Sequence, residues 1–236
     1  MTSRSLSTGL AWTAKTKCWR SWRTWRSSGG IVRRKSTPES ERSGPDIAAI
    51  VQALEHHDVE YVVVGGIAAQ AYGAQRPTKD FDCLINRTAE NLENVAAALR
   101  ELNARLRVHG LTDEESAALP LQLDGIAIGK LEISTWRTSA GDLDLLVDIP
   151  SRDGSRVLYG DVVIRAVALV VNDEVAVVVA DLHDIIASKE WANRPKDRDA
   201  LPELRDLVAQ MEFDDAPRQS REPPIRPERE GPGLGL

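Results

Sequence analysis

Cysteine is nearly absent from this sequence, which has only Cys18 and Cys83 among its 236 residues. Two widely separated cysteines make neither a disulfide framework nor the paired spacing of a zinc site. No secretory signal is visible, and the pair Arg33-Arg34 is not followed by the apolar segment of a twin-arginine signal. We therefore expect a protein of the reducing cytoplasm.

Long hydrophobic runs are also missing. A membrane-spanning helix needs about 20 consecutive apolar residues, whereas the longest apolar stretches here, Ala166–Val171 and Val175–Ala180, are only long enough for strands. Hydrophobic residues make up 42% of the chain and charged residues 28%, which is ordinary for a globular protein. The sequence therefore predicts a globular protein without a membrane-spanning segment.

The basic residues are concentrated at one end of the chain. Residues 1–44 hold ten Lys and Arg against two Asp and Glu, a balance of +8, so with −6 overall the rest carries −14. Four of the six tryptophans lie among these basic residues, at Trp12, Trp19, Trp22 and Trp25. We interpret residues 1–44 as a disordered extension and linker, which an over-extended translation start would explain. The alternative is a basic, aromatic arm that stacks on bases or lies on an anionic membrane.

From residue 45 onward the hydrophobic periodicity is regular, and we predict one domain over residues 45–213. The Pro-, Arg-, Glu- and Gly-rich residues 214–236 are predicted to be a disordered tail. Helices are predicted at 46–56, 67–72, 89–102, 112–118, 181–192 and 196–211. Strands are predicted at 61–64, 81–85, 126–136, 143–149, 157–158, 162–171 and 175–179, with a turn at Asn172-Asp173 between the last two. This order indicates an α/β or α+β fold with a mixed β-sheet flanked by helices.

The segment between residues 61 and 83 carries the clearest chemical pattern. An apolar strand ends at Gly65-Gly66, a helix follows, and a second strand begins with Asp80 and Asp82 two residues apart. Glycines at a helix start let a phosphate approach backbone N–H groups, and strand residues two apart share one face. Adjacent carboxylates repel unless cations lie between them, and oxygen ligands favour Mg²⁺ or Mn²⁺. Either feature alone is more typical of a turn, a cap or a solvent-facing strand, but together they predict a phosphate and metal site.

This segment resembles the signature of the DNA polymerase β-like nucleotidyltransferase superfamily, a Gly-Gly or Gly-Ser pair followed after a short spacer by alternating acidic and apolar residues. With Arg76 and Thr78 ahead of the acidic pair, it is closest to small bacterial nucleotidyltransferases. These include abortive-infection and type IV toxin–antitoxin toxins, and also some antibiotic adenylyltransferases. The resemblance covers about residues 46–211 and implies the nucleotidyltransferase fold with C-terminal helices.

The resemblance also implies roles for individual residues. A third carboxylate is expected on a neighbouring strand, where Asp144 fits best and Asp142 is the alternative. Asp80, Asp82 and Asp144 would bind the metal ions, and Lys189 would neutralise charge on the leaving group as a catalytic residue. The residues implied at the nucleotide are Gly65, Gly66, Arg76, Thr78, Lys189 and Lys196. For the two lysines the alternative is a solvated surface position, and for Arg76 and Thr78 it is bracing of their loop.

The implied reaction transfers a nucleoside monophosphate from a nucleoside triphosphate to a hydroxyl group. Toxin-type members modify tRNA ends, so RNA is the expected acceptor and an antitoxin protein the expected partner. The alternatives are a small-molecule acceptor such as an aminoglycoside, or a non-catalytic module that binds a nucleotide or a partner. The acidic domain disfavours RNA, because phosphate contacts need basic residues. The basic residues found close together in the predicted domain are Lys189, Arg194, Lys196 and Arg198.

His56 and His57 end a predicted helix with no acidic residue at metal-ligand spacing in the sequence. We interpret both as surface residues.

Overall fold

The computed structural model describes residues 12–13, 44–119, 122–171 and 175–215. The strands are β1 Trp12–Thr13, β2 Tyr61–Val63, β3 Asp80–Ile85, β4 Arg105–Arg107, β5 Ile133–Thr138, β6 Gly141–Leu146, β7 Asp148–Pro150, β8 Arg156–Leu158, β9 Val167–Val171 and β10 Val175–Val179. The helices are α1 Ile47–His56, α2 Gly65–Ala71, α3 Ala89–Glu101, α4 Asp113–Ala117, α5 Gly125–Gly129, α6 Tyr159–Val163, α7 Leu182–Ala192 and α8 Pro195–Asp215. None of the helices in these ranges combines the length and the apolar character that crossing a bilayer requires.

The main sheet has eight strands in the order β1-β9-β10-β2-β3-β6-β5-β4, and β7 and β8 pair separately as a hairpin. Strand β3 runs parallel to β6, and β10 runs parallel to β2. The other neighbours in the sheet are antiparallel. The predicted mixed sheet flanked by helices is therefore confirmed, with β3 and β6 side by side near its middle.

The core forms where α1 and α3 bury their apolar stripes. Asp46 caps α1 by accepting from the Ala49 N–H at 3.1 Å, and Leu54 on that helix is fully buried. Thr88 caps α3 in the same way, and Leu99 is fully buried there. Each such side chain contributes about 1.5–3 kcal/mol when it leaves water. The apolar side chains of the central strands β2 and β3 pack into the same core as these helices.

The C-terminal helices α7 and α8 pack against each other, and α7 also contacts α2. Asn193 follows the last residue of α7 and has a left-handed φ of 46°, which reverses the chain, and Pro195 begins α8. Proline suits the first turn of a helix, where its missing N–H has no partner to lose. The predicted helices 181–192 and 196–211 are therefore confirmed, and the turn between them brings α7 and α8 together.

Two predicted strands are partly wrong. The run predicted as strand 126–136 begins as helix α5, because the Asp124 carboxylate accepts from the Ala127 N–H at 2.8 Å and caps a helical turn. The run 162–171 likewise begins within helix α6, and strand β9 starts only at Val167. Short apolar runs do not distinguish a buried helix from a strand, which explains both errors.

Some predictions fall outside the described residues. They include the turn Asn172-Asp173, the tail after residue 215 and nearly all of the predicted N-terminal extension. Residues 12–13 of that extension form β1, in which Trp12 pairs with Ala168 and Thr13 with Val167 at one edge of the sheet.

Candidate active site

Four carboxylates lie on one face of the sheet where β3 and β6 run in parallel. The register pairs Asp80 with Asp142 and Asp82 with Asp144. Neighbouring strands are about 4.8 Å apart, and alternate residues share a face. Phe81, between the two acids of β3, is fully buried on the opposite face. The alternation of acidic and apolar residues thus places the acids in two adjacent pairs.

Gly65 and Gly66 begin α2 directly beside Asp82. The Val64 N–H donates to the Asp82 carbonyl oxygen at 3.0 Å, which ties the glycine turn to β3. A Cβ added to Gly65, which has φ of +65°, would lie 2.8 Å from the Asp82 Cγ and closer still to Oδ2. A Cβ on Gly66 would lie 2.6 Å from the Thr78 Oγ1. The glycine pair therefore presents bare backbone to Asp82 and Thr78, where any larger residue would overlap them.

The electrostatics of this face favour a bound cation. Burial, together with the charges of Asp144 and Asp80, raises the pKa of Asp82 to about 6, while the Gly66 N–H hydrogen bond opposes this shift. Burial also raises the pKa of Asp144, and a hydrogen bond with Thr135 opposes that shift. The Asp144 Oδ1 is buried without a hydrogen-bond partner among the described residues. Adjacent, poorly solvated carboxylates with an unsatisfied oxygen fit a hard divalent cation such as Mg²⁺.

Asp142 differs from Asp144 in having its charge already neutralised. Its Oδ2 lies 2.9 Å from the Arg107 Nη1, and its Oδ1 lies 3.2 Å from the Arg137 Nε. Both of its oxygens are therefore engaged by arginines, whereas Asp144 lies beside Asp82 with one oxygen unpaired. This geometry favours Asp144 over Asp142 as the third metal-binding acid.

Lys189 on α7 is a partly buried cation rather than a solvated surface residue. Its side chain is 17% exposed, and its Nζ lies 3.7 Å from the Oδ1 of Asp197. Asp197 is itself 1% exposed and accepts a 2.6 Å hydrogen bond from the Arg194 Nε. Burial lowers the pKa of Lys189, while the charges of Asp197 and Asp82 act in the opposite direction. The lysine is thus within electrostatic range of Asp82 and is held in place by Asp197.

The other residues implied at the nucleotide are arranged differently. Lys196 is exposed, and its charge opposes the burial that raises the pKa of Asp82. Thr78 lies against Gly66, as described above. The Arg76 Nη2 lies 3.5 Å from the Oδ2 of Asp199 on α8, and the Arg76 carbonyl oxygen accepts from Gln70 at 2.8 Å. Arg76 therefore braces its loop against α8, whereas Thr78 and Lys196 lie near the carboxylates.

The structure also contains a cluster of three arginines that was not predicted from the sequence, Arg105, Arg107 and Arg137. Arg105 and Arg137 are direct neighbours across β4 and β5, and Arg107 and Arg137 share Asp142. The spacing of two in Arg105-Leu-Arg107 was a usable signal for two side chains on one face. The register that adds Arg137 is set by tertiary pairing and cannot be read from local sequence.

Two of the basic residues near Lys189 that the sequence offered for binding RNA are already engaged within the protein. Arg194 is bound to Asp197, and the Arg198 Nη1 donates to the Asn193 carbonyl oxygen at 2.8 Å.

His56 is exposed and His57 is half-buried, in keeping with their interpretation as surface residues, but both have an acidic partner that the local sequence did not indicate. The His56 Nδ1 and the His57 Nε2 lie 2.8 and 2.7 Å from the Oε2 of Glu101. Glu101 ends α3, more than 40 residues away in sequence, so local spacing could not reveal the contact. The cluster lies where α1 ends, before β2, whereas the glycine pair follows β2. It is therefore separate from the carboxylate face.

Comparison with known proteins gives one family and several similar structures. The family described as nucleotidyl transferase AbiEii toxin, type IV TA system, matches residues 49–208. A crystal structure of the lincosamide antibiotic adenylyltransferase LnuA with lincomycin is 13% identical, covering 73% of this chain and 99% of that chain, with a TM-score of 0.46. The antibiotic-resistance factor ANT(2'')-Ia in solution is 13% identical, covering 70% of this chain and 82% of that chain, with a TM-score of 0.43. Its complex with adenylyl-2"-tobramycin is 14% identical, covering 72% and 97%, with a TM-score of 0.42. Among curated proteins, none matches the sequence significantly.

Proposed function

Because the chain belongs to the nucleotidyl transferase AbiEii toxin family of type IV toxin–antitoxin systems, we propose that it transfers a nucleoside monophosphate to RNA, with tRNA as the acceptor, in a divalent-metal-dependent reaction. Nucleotidyl transfer itself follows from membership of the family. The proposal extends to the metal, the acceptor and the biological role. The observation that carries it is the shared face of Asp80, Asp82 and Asp144, with bare glycine backbone beside Asp82.

The proposed metal site consists of Asp80, Asp82 and Asp144. The charges of Asp80 and Asp144 both raise the pKa of Asp82, so the three carboxylates repel one another in the metal-free protein. A bound Mg²⁺ or Mn²⁺ would supply a Lewis acid that offsets the negative charge of the triphosphate and of the attacking oxygen.

In the proposed reaction, the acceptor hydroxyl oxygen bonds to the α-phosphorus while the bond from that phosphorus to the β-phosphate oxygen breaks. Pyrophosphate leaves, and the hydroxyl proton passes to solvent or to the neighbouring Asp144 carboxylate. The glycine pair leaves room for the triphosphate next to Asp82, and Lys189 places a positive charge where negative charge grows on the leaving group. Lys196 adds a second, exposed charge on the same side. No covalent intermediate on the protein is required.

The proposed biological role is that of a toxin controlled by a cognate antitoxin protein. Transfer of nucleotides to tRNA ends would block their use in translation, and an antitoxin would oppose that effect. Nucleoside triphosphates and tRNA are both cytoplasmic, so the proposed place of action is the cytoplasm. Induced expression of the full chain should then arrest bacterial growth, and expression of the Asp80→Ala chain should not. Growth arrest by both chains would point to a non-catalytic binding role.

The direct test incubates the purified chain with Mg²⁺, each labelled nucleoside triphosphate and total bacterial tRNA. Label should enter RNA with the wild-type chain, with one triphosphate preferred, and should be lost in EDTA and in the Asp80→Ala variant. Metal-dependent binding of a triphosphate without any label in RNA would exclude tRNA as the acceptor. The same assay with aminoglycosides or lincosamides in place of RNA would then test a small-molecule acceptor.

A further inference from the structure

We propose that Arg105, Arg107 and Arg137 form a subsite for a backbone phosphate of the acceptor RNA, on the side of the carboxylates opposite to the glycine pair. This inference rests on the proposed function, because it names how the acceptor of that same site is held. It starts from a cavity and a charge cluster that neither the nucleotide nor the metal ions account for.

The three arginines line a cavity of about 310 Å³ at the β4 end of the sheet. This volume is at the lower end of the range for ligand sites, about 300–1,000 Å³, and exceeds what one phosphate group needs. Polar groups of Asn103 and Ser116 share the lining with the guanidinium groups. A cavity with these walls suits an anionic, hydrogen-bonding group of nucleotide size.

The register of the sheet places the arginines on the same face as the carboxylates. Residues directly opposite one another on neighbouring strands project to the same side. One row runs Asp80, Asp142, Arg137, Arg105, and the next runs Asp82, Asp144, Thr135, Arg107. Each row therefore changes from acidic to basic across the strands β3, β6, β5 and β4, so an acceptor extending toward β4 would pass from the carboxylates to the arginines.

The charge balance of the cluster favours an anion. Asp142 lies against both Arg107 and Arg137. Arg105 forms no ion pair with any residue that the structure describes. The cluster therefore includes a guanidinium group whose charge is not paired with a described carboxylate. Arginine also suits phosphate particularly well, because its planar fork donates two parallel hydrogen bonds.

A purely structural explanation covers only part of the cluster. Charged residues on an edge strand prevent sheets from joining edge to edge, and Arg105 and Arg107 lie on the edge strand β4. Arg137 lies on β5, which is paired on both sides. The need to prevent edge-to-edge pairing does not explain why Asp142 contacts both Arg107 and Arg137 beside the cavity. Phosphate binding accounts for all three residues.

The distances match a nucleic-acid strand. Arg107 is two strands away from Asp144, which corresponds to about 10 Å at about 4.8 Å between strands. A nucleic-acid strand rises about 3.4 Å for each nucleotide along a helix. A terminal hydroxyl at the carboxylates would therefore place a phosphate within roughly three nucleotides of the end over the arginines. The triphosphate would occupy the other side, where β2 leads into the glycine pair.

The test compares the full chain with Arg105→Gln and Arg137→Gln, using a tRNA transcript and the preferred labelled triphosphate. Arg105 holds no ion pair among the described residues, so its substitution should leave the thermal midpoint unchanged. Lys130→Gln is the matched control, because Lys130 is exposed, lies at the end of α5 and is absent from the cavity lining. Each variant is measured for KM of the RNA, KM of the triphosphate and equilibrium RNA binding without triphosphate, over a range of salt concentrations.

Each arginine substitution should raise the KM and the Kd for RNA about 5- to 10-fold and lower the salt-dependence slope by about 0.7, the value for one contact to a single strand. The KM for the triphosphate should not change, and Lys130→Gln should match wild type. Arginine variants that also match wild type would overturn the inference. So would an increase in the KM of the triphosphate instead, since the cavity would then belong to the donor nucleotide.

The binding measurement separates this inference from the proposed function. If the wild-type chain binds the transcript but transfers no nucleotide to it, the transfer proposal fails. The subsite is then judged by whether Arg105→Gln weakens binding and lowers its salt dependence. If the wild-type chain does not bind the transcript at all, the subsite is excluded.

Discussion

Gly65 lies so close to Asp82 that its missing side chain is part of the site: a Cβ at Gly65 would lie 2.8 Å from the Asp82 Cγ. The φ of +65° at this residue also disfavours every residue with a side chain. The absence of a side chain at Gly65 therefore has two effects. It permits the backbone turn between β2 and α2, and it leaves the space that the Asp82 carboxylate occupies.

Gly65→Ala should lower activity at least about 100-fold, because the new methyl group displaces the Asp82 carboxylate from the proposed metal site. The positive φ should also cost about 1–2 kcal/mol of stability. Gly160→Ala is the matched control, since a Cβ there meets no atom within 4 Å. Transfer rates and thermal midpoints of both variants test the prediction, which fails if Gly65→Ala retains the activity of Gly160→Ala.

Asp82→Asn should stabilise the metal-free protein while abolishing transfer. Burial and the charges of Asp144 and Asp80 raise the pKa of Asp82 to about 6, above its ordinary value of 3.8. A carboxyl whose pKa is higher in the folded state destabilises that state once the pH exceeds the unfolded value, and the full effect is present above about pH 6. The shift corresponds to about 2–3 kcal/mol.

Chemical denaturation in EDTA at pH 7.5 and pH 4 measures this difference directly. The stability gain of Asp82→Asn should be large at pH 7.5 and much smaller at pH 4, where Asp82 is protonated in the folded state and only partly ionised in the unfolded state. Added Mg²⁺ should stabilise wild type much more than the variant. An equal gain at both pH values would mean that charge repulsion is not its source.

Asp144→Asn and Asp142→Asn should have different consequences although the two acids lie two residues apart. If Asp144 binds metal as proposed, Asp144→Asn should reduce kcat by about 100- to 1,000-fold, since metal coordination supplies several kcal/mol of transition-state stabilisation. Asp142→Asn instead removes the carboxylate that Arg107 and Arg137 share, so its main effect should be on the KM for RNA. Steady-state kinetics with both substrates varied distinguish these outcomes, and equal losses of kcat would contradict the assignment of Asp144.

Asp197→Asn should impair the use of the triphosphate through Lys189. The substitution removes the negative charge that is 3.7 Å from the Lys189 Nζ and leaves that lysine and Arg194 without their shared partner. We expect a higher KM for the triphosphate and a stability loss of about 3 kcal/mol, as for other broken buried pairs. Asp199→Asn is the control on the same helix, because Asp199 is 66% exposed and its pair with Arg76 contributes at most about 1 kcal/mol. Two variants with equal KM values would show that Asp197 has no positioning role.

Local patterns predicted most of the elements and the acidic residues of the site. The alternation in Asp80-Phe-Asp82 and in Asp142-Leu-Asp144 is a period-2 signal that reads directly as one acidic face and one apolar face. The capping residue Thr112 likewise predicted a short helix, which forms with Glu115 completing a capping box. These features are local, so single-sequence reasoning can find them.

Features that depend on pairing between distant strands could not be predicted. Arg137 reaches Arg105 only through the register of β5 with β4, and Glu101 reaches His56 only because α1 and α3 end side by side. The strand order, which separates the glycine pair from the arginines, is also a property of tertiary packing. The basic cluster illustrates this limit, since Arg137 lies 30 positions after Arg107 in sequence.

The parallel pairing of β3 with β6 also makes correct assembly of the site a condition of folding. A slip of β6 by one residue would turn Leu143 and Leu145, both buried, toward solvent and drive Asp142 and Asp144 into the core. Burying an unpaired carboxylate costs several kcal/mol, a large part of the stability of an ordinary domain. A misaligned chain would therefore unfold rather than persist as an inactive native protein. In a purified sample, the fraction of folded molecules should equal the fraction in which the carboxylates of β3 and β6 lie together on one face of the sheet.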